Sequence, residues 1–145
     1  MAEPIFFQKK IPSNTADGLV IQEELVSLME QFEYSMRDVF AMRLSLEEAI
    51  TNAIRHGNKF ASDKVVSIEC EISEFRMRVV VEDQGEGFEP ESVPDPTSIE
   101  YIERPSGRGL MLMRAYLNRC EYSNGGRSLE MERHRNSDLP RVDDE

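Results

Sequence analysis

Glu48-Ala49-Ile50-Thr51-Asn52-Ala53-Ile54-Arg55-His56-Gly57 is the stretch from which the fold is read. As a helix it puts Glu48, Asn52 and His56 four residues apart on one face. Ile50, Ala53 and Ile54 point elsewhere, and with Val39, Met42 and Leu46 they continue an apolar stripe toward a core. A face that pairs a carboxylate with a carboxamide can hold a hard cation and activate a hydroxyl or water. Its plain alternative is a solvated polar face, with Asn52 bonded to local backbone.

On either side of this helix the pattern alternates between helix and strand. Pro4 to Ser13, with Ile5, Phe6, Phe7 and Ile11, reads as a first strand. Ser13 or Asn14 is placed to cap a helix from about Ala16 to Phe32. A second helix runs from near Ser35 to about Arg55 and stops at Gly57. Val65 to Ile72 alternates with period two, and Phe75 to Glu82 follows it across a turn at Ser73-Glu74, so the two are expected to pair antiparallel. The prolines and acids between Glu86 and Pro105 imply a long loop. Gly109 to Asn118 then reads as a helix, and Cys120–Tyr122 and Ser128–Glu132 as strands around Asn124-Gly125-Gly126. This order predicts an α+β fold with helices packed on one face of a mostly antiparallel sheet.

Composition narrows the function. The chain has 145 residues, 39% hydrophobic and 31% charged, with a net charge of −11. That suits one domain with an ordinary core, over about residues 1–135, and a polar tail from 136 to 145 that is expected to fray. There is no apolar run long enough to span a bilayer, and Met1-Ala2-Glu3-Pro4 does not read as a signal peptide. Cys70 and Cys120 lack metal-ligand spacing and are expected to be packing residues in a reduced, cytoplasmic setting. The acidic balance argues against nucleic acid as the main partner and suits a basic protein surface. A nucleotide remains compatible with it, because backbone amides and a metal ion can hold phosphates.

Three segments carry chemistry. On the Glu48 face, Asn52 is a candidate single protein ligand for Mg²⁺, and Glu48 a candidate general base one turn earlier. Directly after the strand Met77–Val81, Asp83-Gln84-Gly85-Glu86-Gly87-Phe88 sets an acid at a strand end before two glycines. That arrangement permits a tight turn and close approach of a flat ring, with the acid as acceptor for an exocyclic amine. Ser106-Gly107-Arg108-Gly109-Leu110 ends the proline-rich loop and opens a helix, a place for a polyphosphate, with Arg108 or Arg104 adding charge. Each has an ordinary structural alternative: a polar face, a glycine turn, a flexible hinge.

In this order and spacing the segments resemble the N, G1 and G2 boxes of the GHKL ATPase superfamily. Within it the chain resembles the small bacterial anti-sigma-factor serine kinases, over roughly residues 5 to 133. Glu48, Ala49, Asn52, Ala53, His56 and Gly57 match the N box, Asp83, Gly85, Gly87 and Phe88 the G1 box, and Gly107, Gly109 and Leu110 the G2 region. Gly125-Gly126-Arg127-Ser128 stands where the family has Gly-Gly-Thr-Thr, with Arg127 in place of the first Thr. The resemblance implies the Bergerat fold, a two-layer α/β sandwich with a mixed, mostly antiparallel sheet. It further implies that Glu48 is the general base, Asn52 the Mg²⁺ ligand, and Asp83 the adenine acceptor. Gly85 and Gly87 would shape the adenine pocket, residues 89 to 106 would form an ATP lid, and Gly107, Arg108, Gly109 and Leu110 would lie along the triphosphate. His56 is placed with the same nucleotide site, more as a structural residue of the N box than as a catalyst, and Ser128 would assist Asp83. ATP, Mg²⁺, a sigma factor, an anti-sigma-factor antagonist and a homodimer follow from the same resemblance. A binding module that responds to nucleotide without phosphorylating a partner is the alternative, and the Glu48/Asn52 pair favours catalysis over it. The catalytic half of a histidine kinase is disfavoured, since its dimerising hairpin has no room before Pro4.

Overall fold

The computed structural model describes residues 3–87 and 105–141. Phe88, Arg104, most of the expected lid and the last four residues lie outside that range. Among the described residues, five strands and three α-helices follow one another in the order β1 (Ile5–Pro12), α1 (Thr15–Gln31), α2 (Met36–Asn52), β2 (Val65–Ile72), β3 (Arg76–Glu82), α3 (Pro105–Tyr116), β4 (Arg119–Ser123) and β5 (Ser128–His134). The strands form one sheet in the order β1-β2-β3-β5-β4, and every pairing among them is antiparallel. The α+β sandwich expected from the sequence is therefore present, without a parallel pair among the described strands.

Local chemistry sets the boundaries. Asn14, not Ser13, caps α1 by accepting the Asp17 amide at 2.8 Å. Ser13 is used elsewhere: its hydroxyl donates to the Lys64 carbonyl at 2.6 Å. Ser35 caps α2 through the Asp38 amide at 3.1 Å. Helix α2 does not continue to Arg55 as an α-helix. Ala53–Gly57 forms a π-turn, in which the Asn58 amide reaches back to the Ala53 carbonyl at 2.8 Å. Helix α3 begins four residues before the expected Gly109, with Pro105 in its first turn, where a missing N–H costs nothing.

Period-two alternation sends one set of strand side chains to the helices. Val66, Ile68, Cys70, Ile72, Met77, Val79 and Met131 are buried there against Leu25 and Met29 of α1, Met42 and Leu46 of α2, and Met113 of α3. Both cysteines are buried free thiols, as expected, and burial pushes their pKa values up, to about 12 for Cys70 and about 11 for Cys120. The opposite face carries a lattice of ion pairs. Arg78 bridges Glu69 and Glu130, Arg76 bridges Glu71 and Glu132, and Arg119 bridges Glu121 and Glu130.

One charge of β5 points the other way. Arg133 is fully buried on the helix side, 2.8 Å from the equally buried Asp38 at the start of α2. Its remaining N–H groups reach the carbonyls of Tyr116 at 2.7 Å, Leu139 at 2.8 Å and Ser137 at 3.3 Å, while Asp38 accepts the Asn136 amide at 2.7 Å. The segment after Arg135, expected to fray, is thus tied down as far as it is described. Arg37 adds bonds to the Asp138 and Pro140 carbonyls.

Arg133→Met leaves Asp38 buried without its partner and is expected to cost about 3–5 kcal/mol. Urea unfolding followed by circular dichroism reads this directly. Asp38→Leu combined with Arg133→Met should lose less than the single variant, because no unpaired charge then remains in the core.

Candidate functional site

A cavity of about 250 Å³ opens between α2, the π-turn and the sheet, lined by Ala49, Asn52, Ala53, His56, Gly57, Lys59, Val81, Asp83, Glu86, Gly87, Tyr122, Gly126, Arg127 and Leu129. Strand register builds its floor. Val81 pairs with Leu129, and Leu129 with Tyr122, so three side chains from β3, β5 and β4 stand in one row on the helix side. Asp83, two residues beyond Val81 and just past the end of β3, continues the same phase.

Asp83 is held tightly. Its Oδ1 accepts the Gly85 amide at 2.8 Å, and its own amide donates to the Arg127 carbonyl at 2.9 Å. Gly57 lies against this carboxylate so closely that a Cβ there would collide with Asp83 Cγ and stand 2.8 Å from Oδ1. A Cβ on Gly85 would strike the Gly57 carbonyl. Backbone of the π-turn and backbone of the Gly85 turn therefore meet with no side chain between them. Burial raises the pKa of Asp83 above its usual value, and the Gly85 amide and the Arg127 charge pull against that rise.

Asn58 fixes the approach. It is buried, with Nδ2 donating to Ser13 Oγ and the Val65 carbonyl at 2.9 Å each and Oδ1 accepting the Gln84 amide at 2.7 Å. It thereby pins the exit of the π-turn to the exit of β3. At the other end, Asn52 Nδ2 donates to Glu48 Oε2 at 3.0 Å. An ionised carboxylate only accepts, so this bond fixes which way the amide faces and leaves the amide oxygen as an acceptor. His56, within the π-turn, lines the cavity, and burial together with Arg55 lowers its pKa, favouring the neutral ring.

Asn52, His56, Asp83 and Gly87 thus come together, with Glu48 bonded to Asn52 and Gly85 packed on Gly57. Other expected residues fall elsewhere. Gly107, Arg108 and Gly109 lie within the first two turns of α3, and Gly109 is packed against the Glu48 carboxylate with no room for a Cβ. Leu110 is a buried member of the core cluster. Ser128 faces the open side of the sheet, in register with Glu82 and Ser123, while its neighbours Arg127 and Leu129 line the cavity. Lys59, Tyr122 and Arg127 were not foreseen at the site. Inward strand phase pointed to Tyr122; Lys59 depends on two consecutive left-handed residues, Lys59 and Phe60, which no pattern in the sequence marks.

Residues 11–133 match the family model described as histidine kinase-like ATPase domain. The chain is 33% identical over 117 residues to an anti-sigma F factor of Clostridium perfringens (strain SM101 / Type A), covering 77% of this chain and 83% of that protein. It is 26% identical over 145 residues to the serine-protein kinase RsbW of Bacillus velezensis, covering 95% and 89%. A serine-protein kinase RsbW of Staphylococcus epidermidis is 24% identical over 135 residues, covering 87% and 84%.

Asp83→Asn should raise the melting temperature of the ligand-free protein at pH 7, by about 2 °C at most, since Asp83 is only half-buried and water screens its charge. The sign follows from the raised pKa: the folded protein holds the proton more tightly than the unfolded chain, so stability is lost as pH rises through the folded value. The gap between the two proteins should therefore close on acidification below the unfolded value near 4. Thermal scans of both proteins from neutral to acid pH check this.

Proposed function

The chain belongs to the histidine kinase-like ATPases, among the anti-sigma-factor serine kinases, and on that premise we propose that it transfers the terminal phosphoryl group of ATP to a serine or threonine hydroxyl of an anti-sigma-factor antagonist. In the same reading it sequesters a sigma factor while the antagonist is phosphorylated, acts as a homodimer and works in the cytoplasm. No helix among the described residues is long and apolar enough to cross a membrane. The observation that carries the proposal is the Glu48–Asn52 hydrogen bond beside a cavity that has Asp83 at its wall.

The residues divide the work along the cavity. Asp83 accepts the amine of adenine, and the row Val81, Leu129 and Tyr122 offers the flat ring an apolar floor. Gly57, Gly85 and Gly87 keep the walls bare enough for backbone and base to approach. The Asn52 amide oxygen suits a hard cation, and no three His, Cys, Asp or Glu side chains among the described residues form a cage of their own. Asn52 together with the phosphate oxygens of ATP would hold Mg²⁺, whose bound charge neutralises the phosphates.

Glu48 takes the proton. A carboxylate has lone pairs enough to accept the Asn52 N–H and a substrate hydroxyl together. As that hydroxyl oxygen bonds to the terminal phosphorus, the bond to the leaving ADP oxygen breaks and the hydroxyl proton passes to Glu48. A module that only holds a regulator has no use for such a pair. Residues 89 to 106, proposed as the lid, lie almost wholly outside the described structure, and Gly107, Arg108, Gly109 and Leu110 remain proposed neighbours of the triphosphate. Their helical turn packs on Glu48, so any shift of α3 is felt at the base. Ser128 is proposed to support Asp83 only from the other face of the sheet, through the pairing of β3 with β5.

With radiolabelled ATP and a co-encoded antagonist, Glu48→Gln should lower phosphoryl transfer by about 10²–10⁴-fold while ATP still binds. Transfer at the wild-type rate would remove Glu48 from the role of base. Asn52→Ala should abolish the dependence of ATP affinity on Mg²⁺, read by titration with and without the ion.

A further inference from the structure

Arg127 ties together two turns that share no strand. Its Nε donates to the Gly85 carbonyl at 2.8 Å, its Nη2 to the Glu86 carbonyl at 2.8 Å and its Nη1 to the Asn124 carbonyl at 3.1 Å. Its backbone repeats the link, for its carbonyl accepts the Asp83 amide at 2.9 Å and its amide donates to the Asn124 carbonyl at 3.2 Å. The guanidinium fills the space between the turns. A Cβ on Gly125 would stand 2.8 Å from Nη1, and one on Gly87 would stand 3.2 Å from it and strike the Gly125 carbonyl. Gly87, Gly125 and Gly126 all have positive φ, which glycine adopts without steric cost and a side chain would resist.

We propose that Arg127 is a positioning residue for the nucleotide base: it clamps the Gly85–Gly87 turn onto the Asn124–Gly126 turn and so preforms the cavity wall next to Asp83. This rests on reading the cavity as the nucleotide site. A planar guanidinium presents its N–H groups in a fixed fork, which suits three carbonyls converging from two turns. Three of its five N–H groups already serve protein carbonyls, one from each nitrogen, which holds the guanidinium between the two turns. Without Arg127 the carbonyls would have to find water, the turns would part, and the ordering would be charged to nucleotide binding.

The test compares wild type, Arg127→Ala and Arg127→Lys for binding of adenosine, ADP and Mg·ATP by calorimetry, with amide hydrogen exchange on the ligand-free proteins. Arg127→Ala should weaken all three ligands by the same factor, roughly tenfold or more, as expected for loss of charge-assisted hydrogen bonds. Exchange should speed up at Gly85–Gly87 and Asn124–Gly126 and stay unchanged in β2 and β3, which also shows that the variant folds. At saturating ATP, phosphoryl transfer should keep its kcat while KM rises. Lysine should not rescue, because an ammonium on a flexible stem cannot serve three carbonyls at once. A loss that grows with the number of phosphates would make Arg127 a phosphate ligand and overturn the proposal. So would full rescue by lysine, or unchanged affinity and exchange in Arg127→Ala. If wild type binds no adenine ligand, the reading of the cavity falls, while the exchange comparison still decides whether the clamp exists.

Discussion

The buried Asp38–Arg133 pair is the constraint on which the arrangement of the helices depends. Each charge alone would be costly inside a core, and together they are surrounded by hydrogen-bond partners that leave little of either unsatisfied. Arg133 lies on β5, Asp38 opens α2, and the Tyr116 carbonyl closes α3, so one guanidinium sets where both helices stand on the sheet. Glu48 and Asn52 sit further along α2, and Gly109 at the far end of α3 packs on Glu48. An ion pair at one end of the helix layer thereby governs the spacing of the chemical groups at the other. Apolar residues would pack the same space, but they would not dictate one angle.

The cavity itself is made by subtraction. Where Gly57 and Gly85 meet, the walls are bare backbone, and the Asp83 carboxylate is brought against a peptide carbonyl's neighbourhood at some cost in desolvation. The π-turn makes this meeting possible, since it carries Gly57 to Asp83 and leaves His56 still on the cavity. Arg127 and Asn58 then fix the two turns that enclose Asp83, one from β5 and one from α2.

Much of this was legible in the residues. Alternation in Val65–Ile72 and Arg76–Glu82 gave the central hairpin, and the stripe Met42, Leu46, Ile50 gave the buried side of α2. Glu48, Asn52 and Asp83 stood out because their types and positions fit one ligand. The π-turn was not legible, because one extra residue in a helical turn changes hydrogen bonding without changing composition. Nor was the tail: Arg135 to Pro140 is largely polar, yet it is tied to Phe32 and Asp38, 103 and 98 residues away along the chain. Arg133 and Asp38 did leave a trace. Each falls on the inward phase of its element, after Leu129 and Met131 in one case and before Met42 and Ser45 in the other. Two opposite charges in apolar phase are a signal for a buried pair. Strand phase gives the cavity to Arg127 and Leu129 and puts Ser128, between them, on the other face of the sheet.

The lattice of arginines and glutamates on the open sheet face bears on how much of this protein a cell can hold. A five-stranded sheet with one uncovered face would stack on its copies if that face were apolar. Here a second sheet would have to strip water from alternating charges that already satisfy one another, and the net −11 adds repulsion between copies. A face of charges that already pair with one another therefore keeps copies of the chain from stacking even where they are crowded.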